Sequence, residues 1–294
     1  MIYLIGSIVL TSYLILSFKA CERYGVNVFQ AIVFNYITCV ITGTIVNGAF
    51  PVHAENIKTP WFVWAMIMGA MFVSIFNVVA ITAQKNGVAV ASVANKLSLI
   101  IPVILSVYLY QETVAGWKAI GVALALVAVV LTCYAPKENG NKVEAGKWVY
   151  ILPLILFISS GLLDALINHV QITYVNEHNN NDYLVSSFFS AATIGSLFLA
   201  LQFIRKKQLF AWKNLLAGIL IGIPNYFSIW CLVHFLKESP WQTSASIPVN
   251  NMGIVLFSAV VAWLLFKERL TKINWLGILL SLVAIYLIAF GDQL

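Results

Sequence analysis

Along this chain the polar positions come in short clusters and the apolar positions in long runs. Ten runs stand out, at roughly 2–18, 27–47, 60–83, 88–110, 115–135, 148–175, 183–204, 212–236, 243–266 and 272–291. Most reach the length of about 20 residues that a helix rising 1.5 Å per residue needs to cross a hydrocarbon core. In lipid only helices and closed barrels satisfy every backbone amide, and barrel strands would appear as alternating runs about half as long. The pattern predicts ten transmembrane helices.

The connections are short. Pro51 and Pro60 bracket one, Gln84 to Gly87 makes a turn, and the polar tract Asn176–Asp182 reads as a loop. The longest charged connection, Pro136–Lys147, separates five runs from five. The stretch 91–135 also repeats as 247–291 without a gap: Asn95 aligns with Asn251, Glu112 with Glu268 and Gly121 with Gly277, each pair 156 positions apart. Internal repetition constrains the fold more than any local signal. An odd number of spans per half makes the second half enter the membrane from the opposite side. The expected fold is therefore an all-α integral membrane protein of ten transmembrane helices, arranged as two inverted five-helix repeats. The first repeat would span 1–135, the linker 136–147 and the second repeat 148–294. Such architectures hold a ligand near the bilayer midplane, between the repeats.

Composition agrees. The chain is 61% hydrophobic and 10% charged, against about 25% charged in soluble domains. It is expected in the cell (inner or plasma) membrane as a multi-pass protein. The N-terminus lacks a basic region and a small-residue cleavage site, so it reads as an uncleaved first span. Cys21, Cys39, Cys133 and Cys231 are scattered, which argues against a disulfide or metal framework. Net charge is +6, but no basic cluster interleaves with aromatics, so nucleic acid is not an expected partner. Instead the charge is sorted by side. Lys19, Arg23, Lys85, Lys137, Lys142, Lys147, Arg205, Lys206, Lys207, Lys213, Lys267, Arg269 and Lys272 fall on one side, hereafter the basic side. Lys58, Lys118 and Lys237 fall on the other. The positive-inside rule would make the basic side cytoplasmic and place both termini outside.

Few residues inside the spans can carry chemistry. Lys96 lies about 12 Å into the fourth run; an ionisable group there costs about 2.5–3.5 kcal/mol and should face a cavity or a partner. It reads as an anchor for an anionic group, or as a side chain snorkelling to the surface. Asp164 is the acid deepest in a span. With Ser160, Asn168 and Gln171 it forms one stripe on the sixth helix, suited to an amine or a coupling proton, or to a structural bond. Asn95 and Asn251 are repeat mates whose carboxamides donate and accept; interhelical bonding is the plainer role. Asn35, Asn77 and Asn225 are further candidates. His169 and His234 read as core residues, and Trp64 and Trp230 as cavity or interface aromatics. Glu112 and Glu268 sit in tight turns and read as caps of helix N-termini.

These features resemble the drug/metabolite transporter superfamily, in particular its EamA-type members. Ten spans in two halves, a Glu after the fourth and ninth spans with a Gly nine residues on, Pro102, and Lys19 near the end of the first span carry the resemblance. The second half departs from it: Ser258 stands where Pro102 maps, and Pro248 lies ten residues earlier. The resemblance implies a carrier of small metabolites, often an exporter, with cytoplasmic termini; the loop charges imply the reverse orientation.

The leading reading is a secondary transporter working by alternating access. One internal base and one internal acid suit a zwitterion such as an amino acid, with sugar phosphates, nucleosides or organic cations as alternatives. Expected partners are a small-molecule substrate, the lipid bilayer and, as a coupling ion, protons. No nucleotide loop occurs, and no cofactor or metal is expected. An intramembrane enzyme would need paired acids or a nucleophile with its base; a non-transporting scaffold would lack a wet cavity.

Overall fold

The computed structural model describes residues 1–48, 50, 52, 54–110, 116–133, 148–175, 179–238, 243–268 and 270–291. Twelve helices occur among them: α1 (Ile2–Arg23), α2 (Val28–Asn47), α3 (Ala54–Ile57), α4 (Pro60–Asn86), α5 (Val88–Leu97), α6 (Ile100–Tyr110), α7 (Trp117–Thr132), α8 (Trp148–Tyr174), α9 (Asn180–Ile204), α10 (Trp212–Glu238), α11 (Thr243–Phe266) and α12 (Lys272–Phe290). No strand occurs among the described residues. Nine spans are long and apolar enough to cross a membrane, α5 with the start of α6 counting as one, and α7 is a shorter apolar helix. The ten expected crossings are thus all helical. Glu112 and the linker 136–147 lie outside the described residues.

The fourth expected span is two helices instead of one. Its break falls at Ser98 and Leu99, two residues past Lys96. Pro102 has no N–H to donate to the Ser98 carbonyl. That carbonyl instead accepts from Ile101 N at 2.9 Å, and the Ser98 hydroxyl turns back to the Asn95 carbonyl.

The chain packs as two compact units. One comprises residues 1–19, 78–162 and 228–294; the other comprises 20–77 and 163–227. Each draws on both sides of the linker.

In the first unit α7 and α12 meet in a reciprocal contact. A Cβ on Gly121 of α7 would lie 3.0 Å from the Ala284 carbonyl oxygen of α12. A Cβ on Gly277 of α12 would lie 3.0 Å from the Ala128 carbonyl oxygen of α7. Gly121 and Gly277 are repeat mates, and so are Ala128 and Ala284. The same patch therefore meets itself, as in an isologous two-fold interface, and α7 runs antiparallel to α12. Ala125, Ala128, Val255, Ala259, Ile278 and Ile285 fill the core beside this seam, all 0% exposed.

The second unit is built on α2 and α9. A Cβ on Gly195 would lie 3.0 Å from Val33, and one on Gly43 2.9 Å from Val185, again antiparallel. Tyr36, fully buried, stacks on Phe72 at 6.2 Å and lies 6.1 Å from Phe188. Asn27 caps α2 by accepting from Gln30 N at 3.1 Å, and Gly48 ends it at φ 73°. The outward faces carry large apolar side chains, among them Val130, Leu197, Leu220 and Leu279, which lipid covers.

Candidate functional site

Three of the expected site residues lie in the first unit. Asn95 donates through Nδ2 to the Ser160 hydroxyl of α8 at 3.2 Å, and Ser160 is buried. The approach is close because Gly161 follows: a Cβ there would meet the Ser98 carbonyl oxygen at 2.7 Å. Lys96, next along α5 and just before the break, is half-buried. Asn251 is buried on α11 beside Asn250, whose Oδ1 is buried without a hydrogen-bond partner among the described residues.

The other five lie in the second unit. Asn35 and Asn225 meet: Asn225 Nδ2 donates to Asn35 Oδ1 at 3.0 Å, and both are buried. Cys39 Sγ donates to the same oxygen at 3.8 Å. The Asn35 Nδ2 is buried with no partner among the described residues, a donor held in reserve in an apolar surrounding. Asp164 and Asn168 are both exposed, one turn apart on α8, with exposed Gln171 continuing the stripe. An exposed acid within a membrane span requires water or protein opposite it. Asn77 bonds within its own helix, from Nδ2 to the Val73 carbonyl at 2.8 Å, and is not joined to the Asn35–Asn225 pair.

Four features escaped the sequence reading. His169 is exposed, not a core residue; its ring lies 6.1 Å from Trp64 and 6.4 Å from Tyr174. In the first unit the His234 ring lies tilted against Trp230 at 3.8 Å, with Tyr3 at 5.3 Å. The i, i+4 spacing of Trp230 and His234 was the available signal. Ser258, on α11, donates to the Ser92 hydroxyl of α5 at 2.7 Å; the repeat mates of these two serines are Pro102 and Pro248, which cannot form that bond.

The fourth feature is the target of Glu268. The expected capping role is found, but at a distant helix. α12 has its own capping box, Thr271 with Asn274. Glu268 instead accepts from Val88 N at 2.7 Å and Ala89 N at 3.5 Å, at the start of α5, whose own N-cap Gly87 has no side chain. Gly87 is held at φ +97°, and a Cβ there would lie 3.0 Å from the Glu268 carboxylate. Lys19 and Gln84 complete this end. Lys19 Nζ donates to the Gln84 carbonyl at 2.7 Å, and Gln84 Nε2 donates to the Phe18 carbonyl at 2.9 Å. Burial raises the Glu268 carboxyl above its ordinary pKa, while the two amides and Lys19 pull it down.

Comparison with known proteins follows the same lines. Residues 147–290 match the EamA-like transporter family. A protein of Haemophilus influenzae, itself described only as uncharacterized, is 24% identical over 284 residues, covering 94% of this chain and 93% of its own. The UDP-galactose transporter homolog 1 of Mycosarcoma maydis is 23% identical over 211 residues, 64% of this chain and 52% of its own. A solved crystal structure superposes with a TM-score of 0.61 at 14% identity, over 98% of this chain and 95% of its own. That is a likeness of fold alone. The second half of the chain thus belongs to the EamA-like transporter family, within an all-helical, multi-span architecture that supports a membrane transporter of small substrates.

Proposed function

We propose that this transporter is a secondary carrier for a small zwitterionic metabolite such as an amino acid. The supporting observation is one base and one acid within spans: Lys96 beside a helix break, and Asp164 on an exposed polar stripe. Lys96 of the first unit is the proposed partner of a carboxylate, and Asp164 with Asn168 of the second that of an amine; Asn95 and Asn251 in the first unit, and Asn35, Asn77 and Asn225 in the second, are the further proposed substrate residues. Asp164 is also the group that would carry a coupling proton. The repeats are 1–135 and 148–294, joined by the linker 136–147. A nucleotide sugar, the substrate class that the Mycosarcoma name suggests, brings two phosphate charges, and a single intramembrane lysine suits it poorly.

Alternating access needs two unequal ends. In the first unit α5 and α11 are tied near the basic side, by Ser92–Ser258 and by Glu268 on Val88. The mirror positions of the serines are prolines. This inequality favours a resting form closed on the basic side.

Counterflow in proteoliposomes, with labelled amino acids, sugar phosphates, nucleosides and organic cations, tests the substrate. An amino acid should exchange. Lys96→Gln and Asp164→Asn should each raise its KM roughly 10- to 150-fold, the loss expected for a hydrogen bond to a charged group. Exchange of phosphorylated sugars or cations alone would refute the zwitterion reading.

A further inference from the structure

We infer that the second unit carries a binding site for an anionic phospholipid at the α9–α10 turn. A groove of about 510 Å³ opens there, lined by Phe198, Leu201, Gln202, Arg205, Lys207 and Gln208. Its walls divide by chemistry. Phe198 and Leu201 are exposed apolar side chains of a membrane span. Arg205 and Lys207 stand one turn further on, where α9 leaves the membrane. No acid is among its described lining residues, and none occurs in sequence between Asp182 and Glu238.

A run of cations on the basic side is ordinarily a solvated face. Three observations make this one a site. First, the turn is built from buried polar groups. Gln30, 1% exposed, donates from Nε2 to Gln208 Oε1 at 3.1 Å and to the Leu209 carbonyl at 2.9 Å. Asn214 in turn donates to Gln30 Oε1 at 2.7 Å and accepts from Asn27 N at 3.0 Å.

Second, three carbonyls at the helix end are already bonded. The amides of Arg205, Lys206 and Lys207 bond back to the carbonyls of Leu201, Phe203 and Gln202, so cations, not open carbonyls, face an arriving anion. Lys206 accepts a left-handed backbone, φ 51°, in making this turn.

Third, the turn sits at headgroup depth. Leu209 is 84% and Trp212 72% exposed, and Trp212 packs edge-on against Phe210 at 5.3 Å. Aromatic side chains of this kind mark the membrane interface. A phosphate on Arg205 and Lys207, with its acyl chain along Phe198 and Leu201, satisfies both walls at once. The buried Gln202 Oε1 on the wall has no partner among the described residues and gains a donor if its amide turns toward a headgroup hydroxyl.

Native mass spectrometry of the full chain tests this, with phosphatidylglycerol, phosphatidylethanolamine and phosphatidylcholine titrated in turn. The wild type should retain phosphatidylglycerol preferentially. Arg205→Gln with Lys207→Gln should weaken that retention roughly thirtyfold, about fivefold per basic residue. Lys85→Gln with Lys272→Gln, also exposed and on the basic side, should leave it unchanged; thermal unfolding shows that all variants are folded. Equal loss in the second pair would mean general surface electrostatics and overturn the site. Equal retention of phosphatidylcholine, or displacement of phosphatidylglycerol by millimolar inorganic phosphate, would overturn the lipid as its occupant.

Discussion

Removing Glu268 should loosen the end of the first unit that faces the basic side. In Glu268→Ala the start of α5 loses both acceptors, including the one 2.7 Å from Val88 N. A buried donor left unpaired costs about 1–3 kcal/mol. The bond exists only while the turn after α11 meets α5, so the cost falls on the closed form. The form open on the basic side should rise roughly 5- to 150-fold in population. Glu268→Gln should behave otherwise, because it keeps an acceptor for Val88 and has no charge to desolvate. The carboxyl's raised pKa means that the closed form binds a proton more tightly than a form with Glu268 in water. Closure is thus most favoured in acid, below the ordinary carboxyl pKa, and this advantage disappears as pH climbs through the raised value. The readout is the labelling rate of Ala91→Cys, on the buried face of α5, in a background without Cys21, Cys39, Cys133 and Cys231. An impermeant maleimide is added from the basic side, and Lys85→Cys corrects for thiol ionisation. Alanine should accelerate labelling at every pH, and glutamine should stay near the parent while abolishing its corrected pH dependence. Unaltered labelling in Glu268→Ala, or a persisting pH response in Glu268→Gln, would refute the reasoning.

Other outcomes follow from the packing. Gly277→Ala places a methyl 2.6 Å from Thr132 N and should lower the unfolding midpoint, by about 1–3 kcal/mol of overpacking. Gly121→Ala, with its nearest contact at 2.9 Å to the Leu287 Cβ, should cost less; a reversed order would discredit the seam. For Asn35 and Asn225, a double-mutant cycle with leucine should show coupling of about 0.5–3 kcal/mol in thermal stability, whereas additive effects would mean that the 3.0 Å bond is energetically idle. Gly87→Ala must adopt a left-handed φ against the Glu268 carboxylate, and should accelerate Ala91→Cys labelling as Glu268→Ala does.

The fold was legible because lipid leaves the backbone so few options: run lengths alone gave the ten helical crossings, and the spacing of Gly121 and Gly277 singled out two glycines of one seam. What stayed hidden depended on tertiary partners. Pro102 was visible, yet a break at Ser98 also needed the hydroxyl folding back on Asn95 and the bare surface of Gly161. Glu268 read as a cap, but no local pattern could point it 180 residues upstream. Its mate Glu112 carried the same expectation and lies outside the described residues. Ser258 looked like a lapse from the repeat and became informative only when Ser92 was found against it. The asparagines were legible as candidates, since polar groups in apolar runs are rare. Which of them pair, as Asn35 does with Asn225, depends on helix rotation, and periodicity in a helix that is apolar all round does not fix that.

The glycine seam between α7 and α12 has an implication for ancestry. A surface that recognises its own copy upside down does not require the copy to be covalently attached. A gene encoding one five-span segment, inserted in both directions with equal frequency, would already possess this joint as a homodimer. Serines at two positions and prolines at their mirrored ones are a difference that only two distinct copies, not one identical pair, can hold.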